Sequence, residues 1–234
     1  MKTLGLLGGM SWESSVVYEK IINETVREAL GGVTSADLII RSFNFADIER
    51  LQSAGEWDQA GVALATAAAD LERAGAQAMV LCTNTMHQVA DAIETAISIP
   101  LLHIVDATGD AIREAGVKRV ALLGTRYTME KPFYRDALAQ RYDLDVVVPS
   151  MREREAIHSI IYDELVQGVI NPTSKDEVSE IIRRMSRDEG ITGVIAGCTE
   201  IELLVTSDDI KSAYFPTTTL HARYAAHFAL AGGE

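Results

Sequence analysis

The sequence predicts an α/β fold of two pseudo-symmetric lobes, each a parallel β-sheet flanked by helices. Three observations predict it. Short apolar runs alternate with longer amphipathic stretches along the whole chain, the strand runs are almost continuously apolar, and two motifs recur at nearly one offset. Met79-Val80-Leu81-Cys82-Thr83-Asn84-Thr85-Met86 is echoed by Val194-Ile195-Ala196-Gly197-Cys198-Thr199-Glu200-Ile201, and Gly5-Leu6-Leu7-Gly8-Gly9 by Ala121-Leu122-Leu123-Gly124-Thr125. Thr83 lies 115 positions before Cys198, and Gly8 lies 116 before Gly124. Two echoes at nearly one spacing suggest two similar α/β lobes, as a duplication would produce. They place Thr83 and Cys198 on opposite walls of a cleft between the lobes, where both faces of one carbon can be reached.

Taken in order, the apolar runs predict strands over residues 3–7, 37–42, 78–82, 101–104, 119–123, 145–148, 193–196 and 213–215. Helical spacing of apolar residues predicts helices over 12–30, 60–74, 85–96, 107–115, 132–141, 152–167 and 175–188, as in Ile157, Ile160, Ile161 and Leu165. Strand-then-helix repetition implies parallel sheets joined by right-handed crossovers. Near-continuous apolar strands such as 120–123 suit sheets covered on both faces. The lobe boundary falls near His103–Asp106. The last strand and helix return to the first lobe, giving one lobe of residues 1–104 plus 212–234 and another of 105–211.

Composition narrows the function. A net charge of −13 argues against nucleic acid or an anionic membrane as partner, because phosphate neutralisation needs clustered Lys and Arg. No apolar run reaches membrane-span length, and the first residues lack a signal-peptide pattern. With only Cys82 and Cys198 and no Cys-x-x-Cys, neither a disulfide scaffold nor a thiolate zinc site is expected, and a reducing cytoplasm is the default location.

In open parallel sheets, ligands bind beyond the carboxyl ends of the strands. Gly8-Gly9-Met10-Ser11 follows the first strand, and free N–H groups there could hold a carboxylate. Thr83-Asn84-Thr85, Thr125-Arg126-Tyr127 and Cys198-Thr199-Glu200 occupy equivalent turns. Any one of these turns reads more readily as turn and capping residues; four in echoing positions favour a site. Cys198 sits where a helix N-terminus would favour its thiolate. Cys82 precedes Thr83 by one residue, and neighbouring strand side chains point to opposite faces, so the echo selects Thr83 for the cleft and leaves Cys82 in the core.

Three segments carry a family resemblance. Leu7-Gly8-Gly9-Met10-Ser11-Trp12-Glu13, Cys82-Thr83-Asn84-Thr85-Met86-His87 and Gly197-Cys198-Thr199-Glu200 resemble the aspartate/glutamate racemase superfamily, and the Gly-Gly-Met-Ser-Trp opening resembles its aspartate racemase branch. The resemblance covers essentially the whole chain. It implies two pseudo-symmetric lobes, a homodimer, and cofactor-independent inversion at the α-carbon of an amino acid. One family thiolate removes the α-proton while the opposite thiol returns one to the other face.

This chain departs from that pattern at Thr83, where the first Cys stands in the family. The resemblance then implies that Cys198 is the base and Thr83 the donor from the far side. A threonine hydroxyl is a far poorer base than a thiolate, so abstraction by Cys198 is the easier step and L-enantiomers are preferred, as in a racemase subgroup with such a Thr/Cys pair. Asn84, Thr85 and Thr199 are candidates to stabilise charge on the substrate α-carboxylate, with capping as the plainer reading. Met10 would line the floor beside the Gly-Gly turn. Gln52 resembles a substrate-contacting position, with a solvated loop as the rival. Thr125 and Tyr127 suit the side-chain carboxylate. Dicarboxylate-specific relatives often carry a Lys in the segment matching residues 161–168; here Asp163, Glu164, Val166 and Gln167 stand instead, and Glu164 could contact the substrate ammonium. Glu200 would support Cys198.

His87 lies one turn after Thr83 and suits a structural role, and His103 a boundary position. His158, His221 and His227 have no partners at metal-ligand spacing, so no metal is expected. The expected partner is therefore a small amino acid or dicarboxylate, with neither nucleic acid nor membrane. Two alternatives stay open: another enzyme of the superfamily (an arylmalonate-type decarboxylase, hydantoin racemase or maleate isomerase), or a non-catalytic amino-acid-binding protein.

Overall fold

A computed structural model describes residues 1–231; the last three positions of the sequence-predicted first lobe, 232–234, lie outside the described residues. The chain divides into two compact units, Met1–Ile104 together with the chain from His221 onward, and Val105–Leu220.

The first unit contains β1 (Leu4–Gly8), α1 (Trp12–Leu30), β2 (Leu38–Ser42), α2 (Phe45–Ala54), α3 (Trp57–Arg73), β3 (Ala78–Leu81), a 3-10 turn Thr85–Val89, α4 (Ala90–Ala96) and β4 (Leu101–Leu102). Then follow α5 (Ile104–Glu114), β5 (Arg119–Gly124), α6 (Arg126–Glu130), α7 (Pro132–Tyr142), β6 (Asp145–Val147), α8 (Met151–Ser159), a π-helical turn Ile160–Glu164, α9 (Pro172–Asp188), β7 (Gly193–Gly197), α10 (Ile201–Leu204), β8 (Ala213–Pro216) and α11 (Thr217–Leu230).

Both sheets are wholly parallel, in the orders β2-β1-β3-β4 and β6-β5-β7-β8. The second order repeats the first with each strand advanced by four. β3 and β7 therefore hold equivalent places, and so do the turns that leave them.

The alternation of strand side chains sorts each core. Met79 and Leu81 of β3 pack with Ile48 and Leu51 of α2, Leu64 of α3 and Ile93 of α4. Ala78, Val80 and Cys82 face the other way, onto Tyr18, Ile22 and Val26 of α1 and Ala222, Ala225, Ala226 and Ala229 of α11. In the second unit Val194, Ala196 and Cys198 share a face with Ile157, Ile161 and Leu165 and with Val178, Ile182 and Met185 of α9. Each large aliphatic side chain so buried contributes about 1.5–3 kcal/mol of transfer free energy.

The domain expectation needs one correction. Residues 213–216 do not return to the first lobe: β8 pairs with β7 in register from Gly193↔Ala213 to Ala196↔Pro216, which fills the hydrogen-bonding edge of β7. The return to the first unit begins at His221 instead, inside α11. Two helical expectations also change. Residues 85–96 split into a 3-10 turn and α4, and 152–167 into α8, the π turn and a 3-10 turn Leu165–Gln167 closed by Gly168 at φ 75°. Ile157, Ile160, Ile161 and Leu165 nevertheless all stay in the core.

Candidate functional site in two equivalent turns

The turn after β1 is shaped by its glycines. Gly9 has φ 84°, and a side chain there would run into the Phe43 backbone; a Cβ on Gly8 would stand 2.6 Å from Ser15 Oγ. The Gly9 N–H donates to Ser15 Oγ at 2.7 Å. Of the N–H groups of this turn that the sequence offered to a carboxylate, that of Gly9 is therefore already engaged. Met10 is buried in the α2/α3 core.

At β3, Cys82 N–H donates to Leu7 O at 2.9 Å, and the chain then turns into Thr83. Cys82 itself is fully buried, and burial pushes its thiol well up from the ordinary range. Thr83 N–H donates to Leu81 O at 2.8 Å, and His87 Nδ1 donates to Thr83 O at 2.7 Å. Both backbone polar groups of Thr83 are thus held. Thr83, Asn84 and Thr85 are all buried. Gln52 lies on α2, buried, with its Nε2 2.9 Å from Met86 Sδ. The loop reading of Gln52 is overturned, and the first unit gathers Gln52, Met86 and, through one core cluster, Met10. The polar surface of residues 47–56 hid this helix, because only Ile48, Leu51 and Gln52 face inward.

At β5, a Cβ on Gly124 would meet Gly197 O at 2.7 Å, so the echoed glycines let β5 and β7 end in close contact. Thr125 caps α6, its Oγ accepting from Thr128 N–H at 3.3 Å. Tyr127 stands edge-on to His158 with ring centroids 5.9 Å apart.

After β7 comes Cys198, buried among residues of α8, α9 and the π turn. Its Sγ donates to Glu200 Oε2 at 2.9 Å. Burial, and then the Glu200 carboxylate, push the thiol well above its ordinary value, while the N–H groups of Glu200 and Ile201 pull weakly the other way. This corrects the sequence expectation that a helix N-terminus would favour thiolate. The helix that follows, α10, has four residues and correspondingly few aligned peptide dipoles, so desolvation wins. Thr199 is buried, and its carbonyl accepts from Glu202 N–H at 3.2 Å.

Glu164, at the end of the π turn, accepts from Ser174 Oγ at 2.9 Å and Asn171 Nδ2 at 3.3 Å through Oε1, while its Oε2 is buried without a hydrogen-bond partner. Among the described residues no group of three or more His, Cys, Asp or Glu side chains converges as a metal ion would need. The sequence reading named Glu200 only as support; the structure makes it the hydrogen-bond acceptor of the Cys198 thiol.

A family model described as Asp/Glu/Hydantoin racemase matches residues 7–225. The chain belongs to this family. Its fold agrees: a crystal structure from Yersinia pestis, provisionally described as an Asp/Glu racemase, superposes with TM-score 0.92 at 48% identity over 98% of this chain and 100% of that one. An aspartate racemase homologue from Pyrococcus horikoshii OT3 follows with TM-score 0.86 and 36% identity, over 98% and 100% of the two chains. Among curated sequences, the broad specificity amino-acid racemase RacX of Bacillus subtilis (strain 168) is 33% identical over 81 residues, which is 35% of each chain. The match to a glutamate racemase of Actinobacillus pleuropneumoniae spans 54% of this chain and 46% of that protein at 26% identity. The matched stretch is thus less than half the length of these curated relatives. Among the described residues, no helix of this racemase-family chain is long and apolar enough to cross a membrane.

Proposed function

We propose that this chain is a cofactor-independent amino-acid racemase acting on aspartate or glutamate, with Cys198 removing the α-proton of the L-enantiomer and Thr83 protonating the opposite face. The observation that carries this reading is the Cys198 thiol donating to Glu200 at 2.9 Å at the carboxyl end of a parallel strand. Glu200 accepts the thiol proton, the thiolate takes the α-hydrogen, and the Thr83 hydroxyl gives its proton to the carbanion. The Thr83 oxygen then recovers a proton from water, and Glu200 returns its own to solvent. The reading requires both turns to address one α-carbon; the motif echo and the matching strand orders give the two turns equivalent places in their own units.

The buried hydroxyl and amide groups of Asn84, Thr85 and Thr199 suit the developing charge on the α-carboxylate. The unpaired Glu164 Oε2 suits the ammonium, and Thr125 and Tyr127 the side-chain carboxylate. Met10 and Gln52 would close the floor on the first-unit side. A small amino-acid substrate, a homodimer and a cytoplasmic setting belong to the same reading, supported by the family and by the acidic, cysteine-poor composition.

The test is incubation with L-aspartate and L-glutamate in D₂O. Deuterium at the α-carbon together with D-isomer supports racemisation; unchanged substrate with the intact enzyme overturns it. A second reading has one observation in its favour. A thiol held protonated by burial and by Glu200 is a ready proton donor, as an arylmalonate-type decarboxylase would use. CO₂ release from an arylmalonate without α-proton exchange on amino acids would select it.

A further inference from the structure

We propose that His87 and Glu202 are a matched pair of positioning residues, each latching the turn that carries a reacting side chain to the start of the helix beyond the next strand. The offset that relates Thr83 to Cys198 also relates His87 to Glu202, each four residues after its partner. Their backbones repeat one turn: His87 N–H donates to Asn84 O at 3.1 Å, and Glu202 N–H to Thr199 O at 3.2 Å. Their side chains repeat one reach. Ile104 N–H, opening α5 after β4, donates to His87 Nε2 at 3.2 Å. Thr218 N–H, in the first turn of α11 after β8, donates to a Glu202 carboxylate oxygen at 2.7 Å. First-turn N–H groups have no intrahelical acceptor, so a buried side chain that supplies one fixes the helix start to itself.

The chemistry of the two latches differs in a way the bonds dictate. Thr83 O can only accept and Ile104 N–H can only donate, so His87 must carry its proton on Nδ1 and a lone pair on Nε2. Protonation at Nε2 would set two N–H groups against each other. Burial and the neighbouring rings of His103 and His221 also hold His87 neutral, well below its ordinary range. His221 is fixed in turn, its Nε2 donating to Leu102 O at 2.6 Å and its Nδ1 accepting from Tyr18 OH at 2.9 Å. Glu202 accepts through both oxygens, the second from Thr219 Oγ at 3.3 Å. His87 touches the reacting residue's own carbonyl, and Glu202 acts one residue further on, through Thr199 O.

The positional roles rest on the racemase reading, but the latches themselves do not, and amide hydrogen exchange separates the two. In the intact protein, the Ile104 and Thr218 amides should be protected although they open helices. An Asn side chain places its amide near the Nδ1 position and a Gln side chain its carbonyl near Nε2. His87→Gln should therefore keep Ile104 protected and slow formation of D-isomer about tenfold, while His87→Asn should expose Ile104 by tenfold or more and retain inversion better. Glu202→Ala should expose Thr218 alone and slow α-proton exchange, and Glu202→Gln should restore both. If Ile104 and Thr218 exchange as fast as other first-turn amides in the intact protein, or if each variant exposes both sites equally, the latches are overturned. If the intact protein exchanges no amino-acid α-proton, the racemase reading fails while the amide pattern still decides the latches.

Discussion

After β3 the chain closes on Thr83, a hydroxyl with its backbone pinned by a neutral imidazole; after β7 it closes on Cys198, a thiol hydrogen-bonded to a carboxylate. The strand order, the 3-10 closing turn and the reach to the next helix are the same in both units. What differs is the acid–base character of the side chains mounted there. One unit carries groups suited to giving a proton and staying neutral, and the other carries a thiol next to a proton acceptor. Two units with one strand order can therefore carry chemically unequal turns, because every side chain from 83 to 87 differs from its counterpart at 198 to 202.

The largest way to break this comparison is Cys198→Ala, which should lower α-proton exchange by about 10⁴-fold with the fold intact, read by NMR in D₂O. Next is Glu200→Gln. Removing the thiol's acceptor should cost about 10³-fold in exchange, and exchange by the parent should rise with pH, because burial and Glu200 hold the thiol protonated.

Glu202 offers a stability test. Burial raises its carboxyl from 4.5 to about 7, against the pull of Thr218 and Thr219; the phenols of Tyr134 and Tyr214 are pushed upward chiefly by their own burial, with the Glu202 charge adding to it. A carboxyl with a raised folded value contributes stability that is fully present below pH 4.5 and lost as pH climbs through 7. Relative to Glu202→Gln, the parent should therefore lose about 3 kcal/mol between pH 4.5 and 8, measured by urea unfolding at both ends. A pH-independent difference would contradict the shifted carboxyl.

Thr83→Ala should slow inversion by about 10²-fold while sparing exchange, and Thr83→Cys should sharpen the comparison by making D-to-L and L-to-D rates more nearly equal. The smallest effect belongs to Cys82→Ala: activity unchanged and about 1 kcal/mol of stability lost from the core between β3 and α1. Loss of activity there would mean that Cys82, not Thr83, faces the substrate.

Among the described residues, the positions of the eight strands and their parallel direction were legible in the sequence, because period and apolar continuity report burial directly, but the strand order and the sheet that takes β8 were not. Also legible was the inward burial of Cys82, which follows from two-residue alternation together with the motif echo. Less was legible at Gln52, where a helix with only three buried residues reads as a polar loop. The same holds at 160–167, where a π turn and a 3-10 turn share the apolar spacing of a regular helix.

By itself, the sequence determined the equivalence of the Thr83 and Cys198 turns, since motif spacing survives without coordinates. Only the tertiary structure decided which edge β8 completes, that the Gly9 N–H is already taken, and that Cys198 meets Glu200 in a buried place. Those are outcomes of desolvation and of hydrogen-bond competition among groups far apart in the chain, and no local pattern of residues encodes which partner wins.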